Sequence, residues 1–188
     1  MNFMTKRLML VIVTLFLSTG GHAATVSLSP ASLVVGINET FTLELTGSDF
    51  NSGTLDGGGV NINFDPTVIN VTNVVINTDV WEFYSTAGVI DNLAGTVNDI
   101  SFNSFVTRTG NLNFATIEFT AVGSGVSALS LTENFFNPFA TNGTPYLDLT
   151  FDQSISVSVQ SVPVPAAVWL FISGLALVAT QRRKLSIG

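Results

Sequence analysis

Thirteen carboxylates and no cysteine set the chemistry open to this 188-residue chain. The acids run from Glu39 to Asp152, and the stretch from Ala24 to Ser161 holds no histidine, no lysine and one arginine, Arg108. That composition removes the usual bases, nucleophiles and transition-metal ligands, so Ser-His-Asp, Cys-His and zinc chemistry are excluded there. A carboxylate pair could still hydrolyse a glycoside, one acid protonated and the other ionised. Asp91 and Asp99 flank a polar loop and are the pair to consider, but solvated loop carboxylates are the simpler reading, and the chain is expected not to be an enzyme. Calcium suits these oxygens better, because it takes carboxylates, carbonyls and side-chain amides without nitrogen or sulfur. No EF-hand spacing occurs, and Asp49, Asn51 and Asp56, beside a turn at Gly57, are the residues that could surround an ion. No other cofactor is expected.

The aromatic residues offer a second kind of site. An exposed ring can pack against the apolar face of a sugar while neighbouring polar groups read its hydroxyls. Trp81, Phe83 and Tyr84 form one candidate platform, and Phe135, Phe136, Phe139 and Tyr146 a second; core packing is the competing role for both.

Lys6, Arg7, Arg182, Arg183 and Lys184 all sit in the end segments, so the stretch between carries one arginine against thirteen acids, a net −12. Such a domain repels phosphate backbones, and nucleic acid is excluded as a partner. Solubility is the plain reason for the acidity.

Between Ala24 and Ser161 the apolar residues alternate with polar ones in short runs, and no window shows helical periodicity. Phe41, Leu43 and Leu45 share a face, as do Val60, Ile62 and Phe64, then Ile69 and Val71, then Leu147, Leu149 and Phe151, then Ile155, Val157 and Val159. One run changes parity, from Leu112 and Phe114 to Ile117, Phe119 and Ala121, which predicts a β-bulge near Ala115. Turns are expected at Gly57-Gly58-Gly59, Asp65-Pro66, Gly110-Asn111, Gly123-Ser124-Gly125 and Asn142-Gly143. The pattern predicts one all-β domain, a sandwich of about eight or nine strands over residues 24–161.

The ends read as addresses. Residues 1–23 carry Lys6 and Arg7, the apolar run Leu8 to Leu17 and small residues before Ala24, the pattern of a secretory signal peptide. Residues 162–188 begin with Val162-Pro163-Val164-Pro165, continue into an apolar stretch over 166–180 that predicts a transmembrane helix with Trp169 near an interface, and end in Arg182-Arg183-Lys184. Because the signal sends the domain outward, the basic cluster would stay cytoplasmic.

That tail, Val162-Pro163-Val164-Pro165-Ala166-Ala167-Val168-Trp169-Leu170-Phe171 followed by Ser173-Gly174-Leu175 and Arg182-Arg183-Lys184, resembles the PEP-CTERM sorting signal. Val164 stands where the namesake motif has a glutamate. The resemblance implies a Gram-negative bacterium making extracellular polysaccharide and an exosortase-type enzyme that reads Val162, Pro163, Pro165 and the basic cluster, leaving the domain membrane-anchored outside the cytoplasm or, after processing, on the cell surface or in the matrix. The middle of the chain resembles a cohesin-type jelly roll, related to carbohydrate-binding modules. The carrying blocks are Val35 to Leu43, Gly59-Val60-Asn61-Ile62-Asn63-Phe64-Asp65-Pro66 running on to Val71, and Gly110 to Phe119. This implies a module binding a dockerin-like protein or an extracellular polysaccharide; a matrix component without a dedicated ligand is the alternative.

Overall fold

Alternating apolar and polar residues, with valine, isoleucine, leucine and phenylalanine on the inner side, build strands through most of the middle of the chain. The computed structural model describes residues 23–161. The signal segment over 1–22 and the sorting tail with its helix at 166–180 lie outside the described residues. Those described form no helix; their strands are β1 (Ala24–Ser29), β2 (Ser32–Gly36), β3 (Thr40–Asn63), β4 (Ile69–Ile76), β5 (Val89–Asp91), β6 (Thr96–Ala121), β7 (Gly125–Glu133), β8 (Ala140–Thr141), β9 (Thr144–Pro145), β10 (Leu149–Phe151) and β11 (Ile155–Gln160).

All eleven strands belong to one hydrogen-bonded sheet that curls into two layers. β3 and β6, of 24 and 26 residues, pair antiparallel along their length and pass together from one layer to the other. Their Thr40–Phe50 and Gly110–Thr120 halves lie between β1 and β4, with β10 outside β1. Their Leu55–Asn63 and Thr96–Arg108 halves lie between β7 and β5, with β11 and β2 beyond β7. The pair bends where Phe50 faces Gly110 and Leu55 faces Arg108, three extra residues on β3 absorbing the turn.

Leu43, Leu45, Ile117 and Phe119 from one layer meet Val60, Ile62, Val97, Ile100 and Val157 from the other in a continuous buried core. At the bend the filling is aromatic: Phe50, Trp81, Phe102, Phe114 and Phe139 are all fully buried.

Several expectations hold. The bulge is there, with one extra β6 residue, Phe114, between the partners of Leu45 and Thr46. Asp65-Pro66 turns the chain, and Gly123 and Asn142-Gly143 join β6 to β7 and β8 to β9. Gly57-Gly58-Gly59 is not a turn but the middle of β3, opposite Asn103, Phe102 and Ser101. A Cβ on Gly58 would stand 2.7 Å from the Phe139 ring, so the glycine admits that ring rather than bending the chain. Gly110-Asn111 likewise lies inside β6, and Leu147 lies outside any strand and is exposed. The expected eight or nine strands become eleven: the predicted strands at Phe41–Leu45 and Val60–Phe64 fuse into β3, the run at Leu112–Ala121 extends back to Thr96 as β6, and short pieces such as β8 and β9 form.

Candidate ligand-binding face

The segment after β4 crosses the bend of the sheet and is fastened there. Trp81 is fully buried, its indole N–H donating to the Asn113 carbonyl at 2.8 Å and its ring 5.2 Å from Phe102 and 5.4 Å from Phe114. Trp81 is therefore core and not part of a ligand platform. A large indole with one buried donor is most stable where a free carbonyl can meet it, and the bulge beside Asn113 supplies one.

Phe83 and Tyr84 do reach the surface, and a residue the sequence did not single out joins them. Phe105, on β6, packs its ring 4.2 Å from Phe83, and Tyr84 meets Phe83 edge-on at 4.8 Å. Tyr84 is 84% and Phe105 72% exposed, so each ring keeps an open side. The signal for Phe105 was its register, an apolar side chain two positions after Asn103 on the side of β6 opposite the buried Phe102 and Ser104.

The patch is held by polar contacts beneath it. The Phe83 N–H donates to the Asn103 carbonyl at 3.0 Å, and Asn103 Nδ2 donates to the Tyr84 carbonyl at 3.2 Å. Ser85 Oγ donates to the Trp81 carbonyl at 2.8 Å and accepts from the Asn103 N–H at 3.1 Å. Glu82 Oε1 accepts from both the Phe105 N–H and Ser104 Oγ at 3.1 Å, while Oε2 lies 3.6 Å from the Arg108 guanidinium. The Glu82 carboxyl is held below the usual carboxylate range, first by its own backbone N–H and then by the Phe105 N–H, Ser104 and Arg108, against an opposing effect of desolvation. Tyr84 sits at φ +44°, a left-handed conformation that costs a bulky residue about 1 kcal/mol.

Beside the rings a groove of about 190 Å³ is lined by Asp56, Gly57, Phe83, Asn103, Asn137 and Pro138. Asn137 Nδ2 donates to the Gly58 carbonyl at 2.8 Å and to Asn103 Oδ1 at 3.3 Å, tying the loop after β7 to the floor. Asp56 Oδ2 accepts from the Asn142 N–H, and Oδ1 is closed off from solvent with no donor. Gly57 pairs with Asn103 on one side and Ala140 on the other, so the floor has no open strand edge.

The second aromatic group divides. Phe135 and Phe136 stand 87% and 84% exposed with their rings 5.4 Å apart, on the loop that forms the far wall of the groove. Phe139 is core, and Tyr146 is half-buried with its ring 5.3 Å from Phe50.

The carboxylates are scattered. Asp49 is exposed at the start of the bend at φ +61°, Asp56 lies beyond it in the groove, and the Asn51 side chain lies outside what the structure describes. Among the described residues no three acids or other metal-ligating side chains converge. Asp91 Oδ1 accepts from the N–H groups of Leu93 and Ala94 at 2.9 and 3.0 Å, closing a turn, and Asp99 sits exposed at φ +61°. Neither lines the groove.

No protein-family model matches the chain. No curated protein matches it either. Solved structures do. The solution structure of CaCohA2 from Clostridium acetobutylicum superposes with a TM-score of 0.59 at 17% identity, over 79% of this chain and 97% of that one. The cohesin of the Coh-OlpA-Doc918 complex, a type I cohesin-dockerin complex from Clostridium thermocellum, gives 0.58 at 9% identity, over 75% of this chain and 100% of that one. A non-cellulosomal cohesin from the hyperthermophilic archaeon Archaeoglobus fulgidus gives 0.55 at 11% identity, over 77% and 95%. The middle of the chain thus has the fold of a cohesin domain.

Proposed function

We propose that this chain is an exported, tail-sorted binding module whose cohesin-type domain engages a polysaccharide or a dockerin-like protein outside the cytoplasm, and that it is not an enzyme. The observation that carries this reading is the Phe83–Tyr84–Phe105 patch. Three rings brought from two segments stand open to solvent beside a polar groove, while the core has fully buried rings of its own. Exposed apolar area of this kind, kept on a domain this acidic, marks a surface that meets a partner.

Export and anchoring are supported by the Lys6-Arg7 and apolar leader, by the Val162-Pro163-Val164-Pro165 tail and by the basic cluster, read by an exosortase-type enzyme. The lack of histidine, cysteine and lysine between Ala24 and Ser161 supports a non-catalytic role. The dockerin partners of several cohesins of this fold support a protein ligand, and the aromatic patch suits either class.

The test is retention of components from the host's own extracellular matrix by the full chain in detergent, with calcium or with chelator, analysing glycans and proteins together. One component held by the wild type and lost in Tyr84→Ala and Phe105→Ala is the expected result. Nothing retained in either condition would leave a matrix component without a dedicated ligand.

A further inference from the structure

We infer that the ligand of the aromatic patch is a neutral, hydroxyl-rich polysaccharide, gripped at the pole of the domain opposite the end from which the tail leaves; this rests on the binding-module reading above. Four observations converge on it.

Hydrogen-bonding capacity in the groove is weighted towards acceptors. Asn137 Nδ2 donates to the Gly58 carbonyl and to Asn103 Oδ1, Asn103 Nδ2 donates to the Tyr84 carbonyl, and Asp56 adds a carboxylate whose Oδ2 accepts from the Asn142 N–H. A ligand that fits supplies O–H or N–H donors.

Charge excludes polyanions. The groove lining holds an acid and no base, and Arg108 is engaged by Glu82 and by the Val80 carbonyl at 3.1 Å. With one arginine against thirteen acids over residues 24–161, a uronate or sulfated glycan would be repelled.

Backbone pairing disfavours a peptide added as a strand. Gly57 is paired on both sides, so a ligand here must be held by side chains and ring faces. Stacking on Tyr84 and Phe105 with hydroxyls turned to Asn103 and Asp56 fits a sugar ring.

Placement gives the arrangement a purpose. β11 ends at Gln160 beside Gly36, and the Gln160 carbonyl accepts from the Ile37 N–H, so Ser161 leaves the domain beside the start of β3. From Thr40 to Phe50 that strand runs about 30 Å, at ~3.3 Å per residue, to the bend where Phe83, Tyr84 and Phe105 stand. Phe135 and Phe136 project from the same end. A chain fixed by its tail would point these rings away from the membrane, into surrounding glycan.

The experiment is affinity electrophoresis of the full chain in detergent through gels containing soluble β-glucan, galactomannan or alginate, at low and at high salt. Retardation by a neutral glycan at both salt levels, none by alginate, and a loss of about tenfold or more in affinity for Tyr84→Ala and Phe105→Ala is expected. Both positions are exposed, so the variants should unfold at the wild-type temperature, separating lost binding from lost structure. Retardation by alginate, or by no neutral glycan, overturns the sugar assignment. If a matrix protein is then held through Phe105 in a salt-sensitive way, the binding-module reading survives with a protein ligand; if nothing is held, both readings fall.

Discussion

The rings of Phe102 and Phe114 stack 4.2 Å apart and 12° from parallel, although both belong to β6 and twelve residues separate them. On a straight strand that separation would be about 40 Å. The stack records the fold of β6 back over itself and seals the core at the bend, with Trp81 and Phe139 against its edges. Phe102→Ala should lower unfolding free energy by about 3–5 kcal/mol in urea titrations with little change in slope. A cost below about 1 kcal/mol would mean the two halves of β6 do not face each other in solution.

Gly58 exists for Phe139. Gly58→Ala should cost about 1–3 kcal/mol by driving a methyl into that ring. The same substitution in a Phe139→Ala background should be close to neutral, since the obstacle is gone. Equal costs in both backgrounds would show that backbone freedom, not the ring, selects glycine there.

Tyr84 is held in a conformation that suits glycine. Tyr84→Gly should therefore change stability by less than about 1 kcal/mol while removing an entire aromatic side chain, and should abolish ligand binding. A large loss of stability would make Tyr84 a structural residue and remove it from the binding face.

Glu82 holds the backbone of Phe105 by accepting its N–H, and on the proposed binding face it would act through that ring. Glu82→Gln, which keeps an acceptor but not the charge, should retain most affinity, whereas Glu82→Ala, which loses the contacts to Phe105, Ser104 and Arg108, should weaken binding and lower stability modestly. Identical binding in all three forms would show that the ring positions do not depend on this carboxylate.

Asp65 and Asp152 are held below the ordinary aspartate range, Asp65 by the Thr67 hydroxyl and then its backbone N–H, Asp152 by the Ser154 hydroxyl and then its backbone N–H. A depressed folded-state value gives stability that is present above the unfolded value, about 3.9, and is lost as pH falls through the folded one. Asp65→Asn should therefore be less stable than wild type at pH 6, and the gap should begin to narrow near pH 4 and vanish only below the depressed folded-state value. A gap that stays constant with pH would exclude the carboxylate as its source.

The core strands were legible because alternation reports burial directly: Leu43 and Leu45, Val60 and Ile62, and Val157 and Val159 all face inward as their spacing requires. The bulge at Phe114 was legible for the same reason, as a break in parity. The continuity of β3 and β6 was not, since Gly58 reads as a turn residue until Phe139, 81 positions later, is known to need its space. The site was half legible. Trp81, Phe83 and Tyr84 look alike in sequence, and only tertiary packing sends the indole to Asn113 while leaving the next two aromatics outside. Phe105 was missed because its partners come from a segment some twenty residues earlier.

The aromatic pole is the proposed meeting place of this domain and its ligand. Hydrogen–deuterium exchange of the full chain, with and without the host's matrix polysaccharide, reads that location without presupposing a variant. Ligand-dependent protection is expected to be confined to residues 82–86, 103–108 and 135–138. Protection instead along the threonine-lined groove of Thr40, Thr42, Thr72 and Glu118, with none at those three segments, would contradict it.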